Sequence, residues 1–524
     1  MTQRSITTFR YFCLPTAIRL IGAAKCRGAM RSEIRFLLNG KTQHVSDIAG
    51  DVTLLEWLRG QPHLRGTKQG CAEGDCGACT VTMARPDAMG RLEYRPVNSC
   101  ILFLGMIDGS AIRTVEGLAS PDGKLHPVQG AMVAADASQC GFCTPGFVMS
   151  LYAAWQNGRG LSANEVNTTL AGNLCRCTGY RPIVDAATAL DHRGDSDMAK
   201  TDMANEAAML AGLSSAKDHQ DNICLGNEVA QFIAPATSAS FAQIYAKEAD
   251  ATIVGGATDV GLWVTKQHRK LGTFIWTGRV AGFDQIETEG DFMRIRPAVT
   301  HQQFLYHIAD DLPECAELLR RFGALQVRSS GTVCGNIANA SPIGDLPPVL
   351  MALASKVELT KADKTRTLNL ENFFLDYGKQ DRQSGEFLSA IMVPQGPAPH
   401  LRCYKITKRF DQDISAVMLA ANLHLNDDVI SDVCLAFGGM AGIPKRANHA
   451  EAKLAGKPLD MEHFKAAAKA LRDDFTPLSD MRGSAEYRLL TSQNLLIKYG
   501  LELTSSRQMR LTGADLAAGL EGWS

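Results

Sequence analysis

The chain has 524 residues, 45% of them hydrophobic, and a formal net charge of −1 at pH 7. That length predicts three or four domains, and the apolar content is ample for several cores. Because there is no long basic or acidic block, neither nucleic acid nor an anionic membrane surface is an expected partner. No apolar run approaches the ~18 residues of a membrane-spanning helix, and the 15 cysteines favour a reducing, cytoplasmic compartment.

Residues 1–29 differ from the rest because they contain five Lys or Arg and no Asp or Glu. A transit-like peptide is one interpretation of this composition. We favour an upstream start codon or an unstructured extension, because Met30 comes shortly before residues 33–40, which read as the first strand and turn of a domain. At the other end, residues 506–524 are predicted to form a tail.

The first domain, residues 30–117, is predicted to be a small ferredoxin domain of the β-grasp type. Short β-rich runs at 34–38, 80–83 and 111–115 surround one predicted helix at 54–59.

This domain contains a cysteine group with C-x4-C-x2-C spacing and a fourth cysteine further along, which is the plant-type 2Fe-2S ligand arrangement. The predicted ligands are Cys71, Cys76, Cys79 and Cys100. Glycines at 70, 74 and 77 suit a loop that curls around a cluster, because glycine adopts positive φ and allows close backbone approach. We expect amide N–H groups of this loop to point at the sulfur atoms.

The second domain, residues 118–190, is predicted to be helical. Apolar residues recur at three-to-four spacing in 129–137, 146–156, 164–170 and 183–190. A second cysteine group lies at the ends of these helices as a C-x2-C pair and a C-x-C pair. The predicted ligands of a second 2Fe-2S cluster are Cys140, Cys143, Cys175 and Cys177.

Two alternatives remain open for this second group. Four cysteines in two close pairs also suit a tetrahedral zinc ion, although the C-x-C pair and the neighbouring plant-type loop argue against it. A thioredoxin-like site at the C-G-F-C sequence needs a βαβ context and leaves the other pair without a role.

Residues 191–224 are rich in Asp, Lys, Ser and Ala with little periodicity, so they are predicted to be an interdomain linker. Strands and helices mix beyond them, and two glycine-rich segments stand out at 252–261 and 327–345. In the first segment, a short apolar strand runs into a Gly-Gly turn that can present N–H groups to a pyrophosphate. It is not the G-x-G-x-x-G fingerprint, and each segment alone also fits an ordinary turn.

Together these segments resemble the fused iron-sulfur and flavin subunit of the bacterial xanthine dehydrogenases, in the molybdenum hydroxylase family. The resemblance covers about residues 31–505 and rests on G-T-K-Q-G-C-A-E-G-D-C-G-A-C-T-V, Q-C-G-F-C-T-P-G and G-N-L-C-R-C-T-G-Y-R-P, at 66–81, 139–146 and 172–182. It implies a multidomain α+β fold. The two cluster domains would precede a vanillyl-alcohol-oxidase-type FAD-binding domain at 225–398 and a C-terminal α/β flavoprotein domain at 399–505.

The resemblance also implies which residues contact FAD. Two loops would bring backbone amides to the phosphates: Ile253, Val254, Gly255, Gly256, Ala257, Thr258, Asp259 and Val260, then Thr332, Val333, Cys334, Gly335 and Asn336. The chain departs from the family by having alanine at 257 and cysteine at 334, and both changes keep the backbone path.

Further FAD contacts implied by the resemblance lie outside the two loops. Phe322 would pack on the flavin, although it equally fits core packing, and Asp345 would be the ribityl-binding acid. Leu388 and Lys405 would be additional contacts. Residues 411–415 resemble the segment beside the flavin where nicotinamide docks, and they equally fit a solvated charged loop.

By this resemblance, the chain is the electron-transfer subunit of an enzyme whose molybdenum cofactor lies on a separate large subunit, in a heterotetramer of two small and two large subunits. Electrons would pass through the helical-domain cluster and the plant-type cluster to FAD, and then to NAD, while hypoxanthine and xanthine are oxidised to urate. No catalytic residue for purine is expected in this chain. Two other functions remain open: a stand-alone iron-sulfur flavin NAD(P)H reductase, and a zinc-stabilised interaction protein without redox activity.

Overall fold

The structure is a computed structural model, and it describes residues 30–505 except 88–89, 164, 191–196, 216–220 and 228. The predictions for residues 1–29 and 506–524 concern segments outside the described residues. Part of the predicted linker also lies outside them.

In the first domain, five strands form one sheet in the order β2-β1-β5-β3-β4. Its elements are β1 (Glu33–Leu38), β2 (Lys41–Ser46), α1 (Leu54–Gly60), β3 (Thr80–Pro86), β4 (Leu92–Asn98) and β5 (Ala111–Arg113). Strands β1 and β5 are parallel and the other neighbours are antiparallel. A capping box between Thr53 and Glu56 starts α1 and satisfies N–H groups that the first turn leaves unpaired.

The second domain is a group of helices around one central helix. Its elements are α2 (Pro127–Ala134), α3 (Thr144–Gln156), α4 (Val166–Leu170) and α5 (Arg181–Thr188). In α3, every residue from Gly146 to the end of the helix is buried. Three of these helices begin two residues before their predicted start, because proline occupies one of their first positions, where its missing N–H costs no hydrogen bond.

The segment predicted as a linker contains a helix, α6 (Asp197–Ser215). Met209 and Leu213 on this helix are buried in the core that the helical domain shares with part of the ferredoxin sheet. The Gln156 side chain donates to the Asp202 carboxylate at 2.9 Å. The segment is therefore packed onto the iron-sulfur domains.

The flavin-domain region begins with a four-stranded sheet in the order β6-β7-β9-β8. Its elements are β6 (Ile223–Asn227), β7 (Ala230–Ala234), α7 (Ser238–Lys247), β8 (Thr252–Val254), α8 (Val260–Thr265) and β9 (Gly272–Trp276). Strand β9 runs parallel to both β7 and β8.

A second sheet in this region has the order β10-β11-β16-β12-β13 and shares its core with four helices, α9, α10, α12 and α13. The elements are β10 (Ile286–Glu289), β11 (Phe292–Ile295), α9 (His301–Ile308), α10 (Pro313–Arg321), α11 (Leu325–Arg328), α12 (Val333–Asn339), α13 (Leu346–Ala352), β12 (Lys356–Lys361), β13 (Lys364–Asn369), β14 (Phe374–Asp376), β15 (Lys379–Gln380) and β16 (Phe387–Pro394). Strands β14 and β15 pair with each other as a separate hairpin.

The C-terminal domain is an antiparallel sheet in the order β17-β18-β19-β20 that is covered by helices. The elements are β17 (Arg402–Ile406), β18 (Val417–Asn426), β19 (Val429–Gly438), β20 (Lys445–Arg446), α14 (Asn448–Glu451), α15 (Met461–Asp474) and α16 (Ala485–Thr504).

The ferredoxin sheet and the first flavin sheet share one hydrophobic core. The rings of Phe103 and Phe274, one from each side, lie 5.1 Å apart. Asp108, which is almost fully buried, pairs with Arg31 at 2.7 Å and with Arg279 at 3.3 Å. This shared core fixes the position of the first cysteine group relative to the flavin-domain loops. Among the described residues, no helix is both long and apolar enough to cross a membrane.

Candidate functional site

The first cysteine group forms a compact set of thiols. The Cys71 thiol is in contact with the thiols of Cys76 and Cys100, and the Cys100 thiol is in contact with that of Cys79. The Cys100 contact is the main cause of a lowered pKa at Cys71. Backbone N–H groups of Glu73 and Cys76 donate to the Cys71 sulfur at 3.4 and 3.3 Å, as the sequence predicts.

The glycines of this loop serve two different purposes. Gly74 and Gly77 have φ of +80° and +69°, so they make turns that other residues rarely adopt. Gly70 instead allows close approach, because a Cβ there would lie 2.8 Å from the Cys76 sulfur. Ala72 also adopts a positive φ, of +57°, so the loop carries one strained residue that is not glycine.

The second cysteine group lies at the protein surface. The Cys177 sulfur is 3.6 Å from the Cys140 sulfur and 3.8 Å from the Cys175 sulfur. Cys143, at the start of α3, is buried, and burial together with a thiol contact from Cys175 raises the pKa of Cys143 to about 12. Cys140 and Cys177 are exposed. All four predicted ligands are therefore gathered in one place.

In the described part of the chain, no three His, Cys, Asp or Glu side chains are arranged to hold a single metal ion. A tetrahedral zinc site needs four ligands around one point, at ~2.3 Å for each sulfur. A 2Fe-2S cluster divides its four cysteines between two irons, so its ligands are spread more widely. The sulfur–sulfur separations of 3.6 and 3.8 Å in the second group suit two thiolates on one metal ion in either arrangement.

Direct contacts join the two cysteine groups. The Leu174 N–H donates to the Cys76 carbonyl at 3.0 Å, and the Asn173 side chain donates to the Gly77 carbonyl at 3.0 Å. A Cβ on Gly77 would lie 2.1 Å from a backbone carbonyl oxygen of the helical domain, so only glycine permits this approach. The two loops are therefore in contact along their backbones.

A side chain from the flavin domain reaches the same point. The Gln326 amide nitrogen on α11 lies 3.3 Å from Thr80 Oγ1, 3.1 Å from Ser150 Oγ and 3.0 Å from Asn173 Oδ1. Gln326 is buried, so this polar contact is shielded from water. It ties the ferredoxin, helical and flavin domains together beside both cysteine groups.

A cavity of about 680 Å³ lies in the flavin domain, between the two glycine-rich segments. Most of the predicted FAD contacts line it: Ile253, Gly255, Gly256, Ala257, Thr258, Asp259, Val260, Phe322, Thr332, Cys334, Gly335, Asn336 and Leu388. This volume is typical of a pocket for a small organic ligand.

The cradle of the cavity depends on glycine. A Cβ on Gly256 would meet the Ser330 carbonyl oxygen at 1.8 Å, and one on Gly255 would meet Thr332 Oγ1 at 2.5 Å. Asn336 Oδ1 is buried without a hydrogen-bond partner in the described part of the chain. The two loops therefore lie against each other and keep an unsatisfied acceptor at the cavity, which fits a bound ligand with hydrogen-bond donors.

Four predicted FAD contacts do not line the cavity. Val254 and Val333 are fully buried in hydrophobic cores. Lys405 donates to the Asp345 carboxylate at 2.5 Å, and both side chains also bond to Ser415. The ribityl-binding role of Asp345 stays a prediction, and in the structure this carboxylate is paired with a lysine that is predicted to contact the same ligand.

Sequence reasoning missed His301, which lines the cavity and lies 4.6 Å from the Phe322 ring. Burial, together with the nearby Arg328 cation, lowers the pKa of His301 to about 3, so the ring is neutral. Its Nδ1 has no hydrogen-bond partner among the described residues. A single histidine after the helix-capping Thr300 belongs to no motif, so the sequence contains no signal for this role.

The segment predicted to lie beside the flavin is an ordered charged loop. The Asp413 carboxylate accepts the backbone N–H groups of Lys408 and Arg409 at 2.9 and 3.1 Å. Burial raises the pKa of Asp411, and the Arg328 cation partly offsets the effect. Because Arg328 belongs to α11, the loop lies within electrostatic reach of the helix that carries Gln326.

Four domain families match successive parts of the chain. The 2Fe-2S iron-sulfur cluster binding domain matches residues 36–104, and the 2Fe-2S binding domain matches 114–188. The FAD binding domain in molybdopterin dehydrogenase matches 227–396, and the CO dehydrogenase flavoprotein C-terminal domain matches 402–503. The chain carries the iron-sulfur and flavin domains of the molybdenum hydroxylases.

Molybdenum hydroxylase relatives match almost the whole chain. The xanthine dehydrogenase of Emericella nidulans is 30% identical over 92% of this chain and 39% of its own length. That of Drosophila subobscura is 29% identical over 93% of this chain and 40% of its own length. The chain therefore spans about two fifths of these relatives. A solved carbon monoxide dehydrogenase from Hydrogenophaga pseudoflava is 24% identical over 51% of this chain and 94% of that chain, with a TM-score of 0.48.

The molybdenum hydroxylase match confirms the predicted multidomain α+β fold with two 2Fe-2S domains, an FAD-binding domain and a C-terminal flavoprotein domain. These domains have an electron-transfer role. The residues present fit the cofactors, because two sets of four thiols are gathered and a glycine-lined cavity holds unsatisfied polar atoms.

Proposed function

We propose that the chain is the electron-transfer subunit of a xanthine dehydrogenase. It would receive electrons from a molybdenum cofactor on a partner subunit and pass them to NAD during the oxidation of hypoxanthine and xanthine to urate. The two cysteine groups would each hold a 2Fe-2S cluster, and the cavity, together with Asp345 and Lys405, would hold FAD. When bound, flavin exchanges single electrons with the clusters and a hydride with nicotinamide.

The proposed electron path is supported by successive contacts that lead from the second cysteine group to the cavity. The second cysteine group touches the first where the Leu174 N–H donates to the Cys76 carbonyl. The loop of the first cysteine group in turn touches α8, because the Thr265 hydroxyl donates to the Ala72 carbonyl at 2.7 Å. Helix α8 begins at Val260, at the end of the first cavity loop. The second cysteine group, the first cysteine group and the cavity therefore form a line of successive contacts.

The surface around the second cysteine group has the exposed apolar side chains of a protein-binding site. Phe142, Leu174 and Tyr180 are 47%, 39% and 40% exposed, which is high for large apolar side chains. We propose that the molybdopterin-binding subunit docks here, in a cytoplasmic heterotetramer of two small and two large subunits. The domain limits would be 30–117, 118–190, 225–398 and 399–505.

Activity assays on separated subunits test this function. The chain alone should oxidise NADH with an artificial dye, and it should reduce NAD with xanthine only after the molybdenum subunit is added. Xanthine-dependent NAD reduction by the chain alone would contradict the proposal. Dye-linked NADH oxidation without any molybdenum-containing partner in the native complex would instead favour the stand-alone reductase.

A further inference from the structure

Helix α8 links the flavin cavity to the loop of the first cysteine group. The helix is also pressed against the segment that follows the fourth cysteine, because a Cβ on Gly261 would lie 2.6 Å from the Ile101 carbonyl oxygen. Leu262 packs against a small buried cluster that contains Cys79 and Cys100.

Thr265 is hydrogen-bonded to a peptide group that also contacts a predicted cluster ligand. Its hydroxyl is 2.7 Å from the Ala72 carbonyl oxygen and 3.1 Å from the Gly261 carbonyl oxygen, so the shorter bond goes to Ala72. The N–H of the same peptide group, which belongs to Glu73, donates to the Cys71 sulfur at 3.4 Å. A bond to the carbonyl oxygen polarises the peptide and strengthens the bond made by its N–H.

Lys266 brings the positive charge of its ammonium group to the preceding carbonyl of the loop, that of Cys71. Its ammonium group is 3.2 Å from the Cys71 carbonyl oxygen and 3.3 Å from the Glu73 carboxylate. The Lys266 and Glu73 side chains are 45% and 39% exposed, so salt will partly screen this charge.

We propose that Thr265 and Lys266 are positioning residues through which the flavin domain raises the reduction potential of the plant-type cluster. Reduction adds a negative charge, and hydrogen bonds to the sulfurs and nearby net charge set the potential of such clusters. The flavin domain would thus adjust the electron affinity of the centre that precedes it. This inference rests on the proposed function, because it needs a 2Fe-2S cluster at Cys71.

Redox titration of the full chain, followed by EPR of the plant-type cluster, tests the proposal. Thr265→Val removes the hydroxyl at nearly constant shape, and Thr265→Ser keeps it. Lys266→Met removes the charge, and Lys266→Arg keeps it. Lys270→Met is the matched control, because Lys270 is an exposed lysine further along the same connection.

We expect Thr265→Val and Lys266→Met each to lower the ratio of reduced to oxidised cluster at a fixed potential by roughly threefold to tenfold, where tenfold is about 59 mV for one electron. The effect of Lys266→Met should shrink at high salt, and that of Thr265→Val should not. Thr265→Ser, Lys266→Arg and Lys270→Met should match the unaltered chain.

Two failures are distinguishable. If the unaltered chain has no plant-type EPR signal, the proposed function is wrong. If the signal is present and FAD content is normal, but the potential is the same in Thr265→Val and Lys266→Met as in Lys270→Met, this inference alone is overturned.

Discussion

Lys405 of the C-terminal domain and Asp345 of the flavin domain form a deeply buried ion pair, with side-chain exposures of 2% and 5%. Removing one partner of such a pair leaves a charge without compensation in a medium that solvates it poorly. We expect Lys405→Met to lower the free energy of unfolding by about 3–5 kcal/mol.

Urea denaturation measures this loss. Lys453→Met, at an exposed position, is the control and should change the free energy by less than about 0.5 kcal/mol. Equal stability of the two variants would mean that the buried pair contributes nothing.

His301 makes stability depend on pH. The unfolded histidine has a pKa of about 6.5, whereas burial lowers the folded value to about 3. Below pH 6.5 the unfolded chain therefore binds a proton that the folded chain does not, and stability falls as pH decreases towards 3. Between pH 7 and pH 5 this residue should account for a loss of about 2 kcal/mol.

The comparison of His301→Phe with His307→Asn at both pH values isolates the effect, because His307 is exposed. His301→Phe should lose less stability on acidification than the unaltered chain, and His307→Asn should lose as much as the unaltered chain. An unchanged pH dependence in His301→Phe would refute the buried neutral state.

At the scale of elements, α11 connects three domains through one amide. Gln326→Leu keeps the volume but leaves buried hydroxyl and amide groups of the ferredoxin and helical domains without this partner. We expect a cost of about 1–3 kcal/mol. In calorimetry, the unfolding of the iron-sulfur domains should separate from that of the flavin domain.

Gln267→Leu is a suitable comparison, because Gln267 is exposed. A single cooperative transition in Gln326→Leu, at the temperature seen for Gln267→Leu, would show that the contact does not couple the domains.

Some elements could be predicted from local pattern and others could not. The two thiol loops could be predicted from cysteine spacing and glycine positions, because both patterns are local in the sequence. Helix α6 was not predictable from periodicity, because only Met209 and Leu213 are described as buried on it. His301 and Gln326 act through neighbours far away in the chain, so their roles depend on the folded arrangement. The pairing of Asp345 with Lys405 is likewise not predictable from local pattern, because the two residues lie 60 positions apart in the chain.

At the scale of the whole molecule, the line of contacts predicts that damage at its surface end spares its flavin end. Cys143→Ser should abolish xanthine-dependent NAD reduction by the complete enzyme and leave dye-linked NADH oxidation unchanged, because the first cysteine group, which contacts α8, would lie between Cys143 and the cavity in the electron path. Cys315→Ala, a buried cysteine of the flavin domain, should preserve both activities. Loss of dye reduction in Cys143→Ser with FAD still bound would reverse the proposed order.

EPR of the dithionite-reduced full chain, with iron and flavin counted in the same sample, tests the central claim most directly. The first cysteine group lies in a β-rich domain and has no exposed member, whereas the second lies between helix ends and has two, so two clusters should differ in hydrogen bonding and solvent contact. The account predicts two distinct spin systems, four irons and one FAD for each chain. A single spin system, iron well below four, or a colourless zinc-containing protein would contradict it.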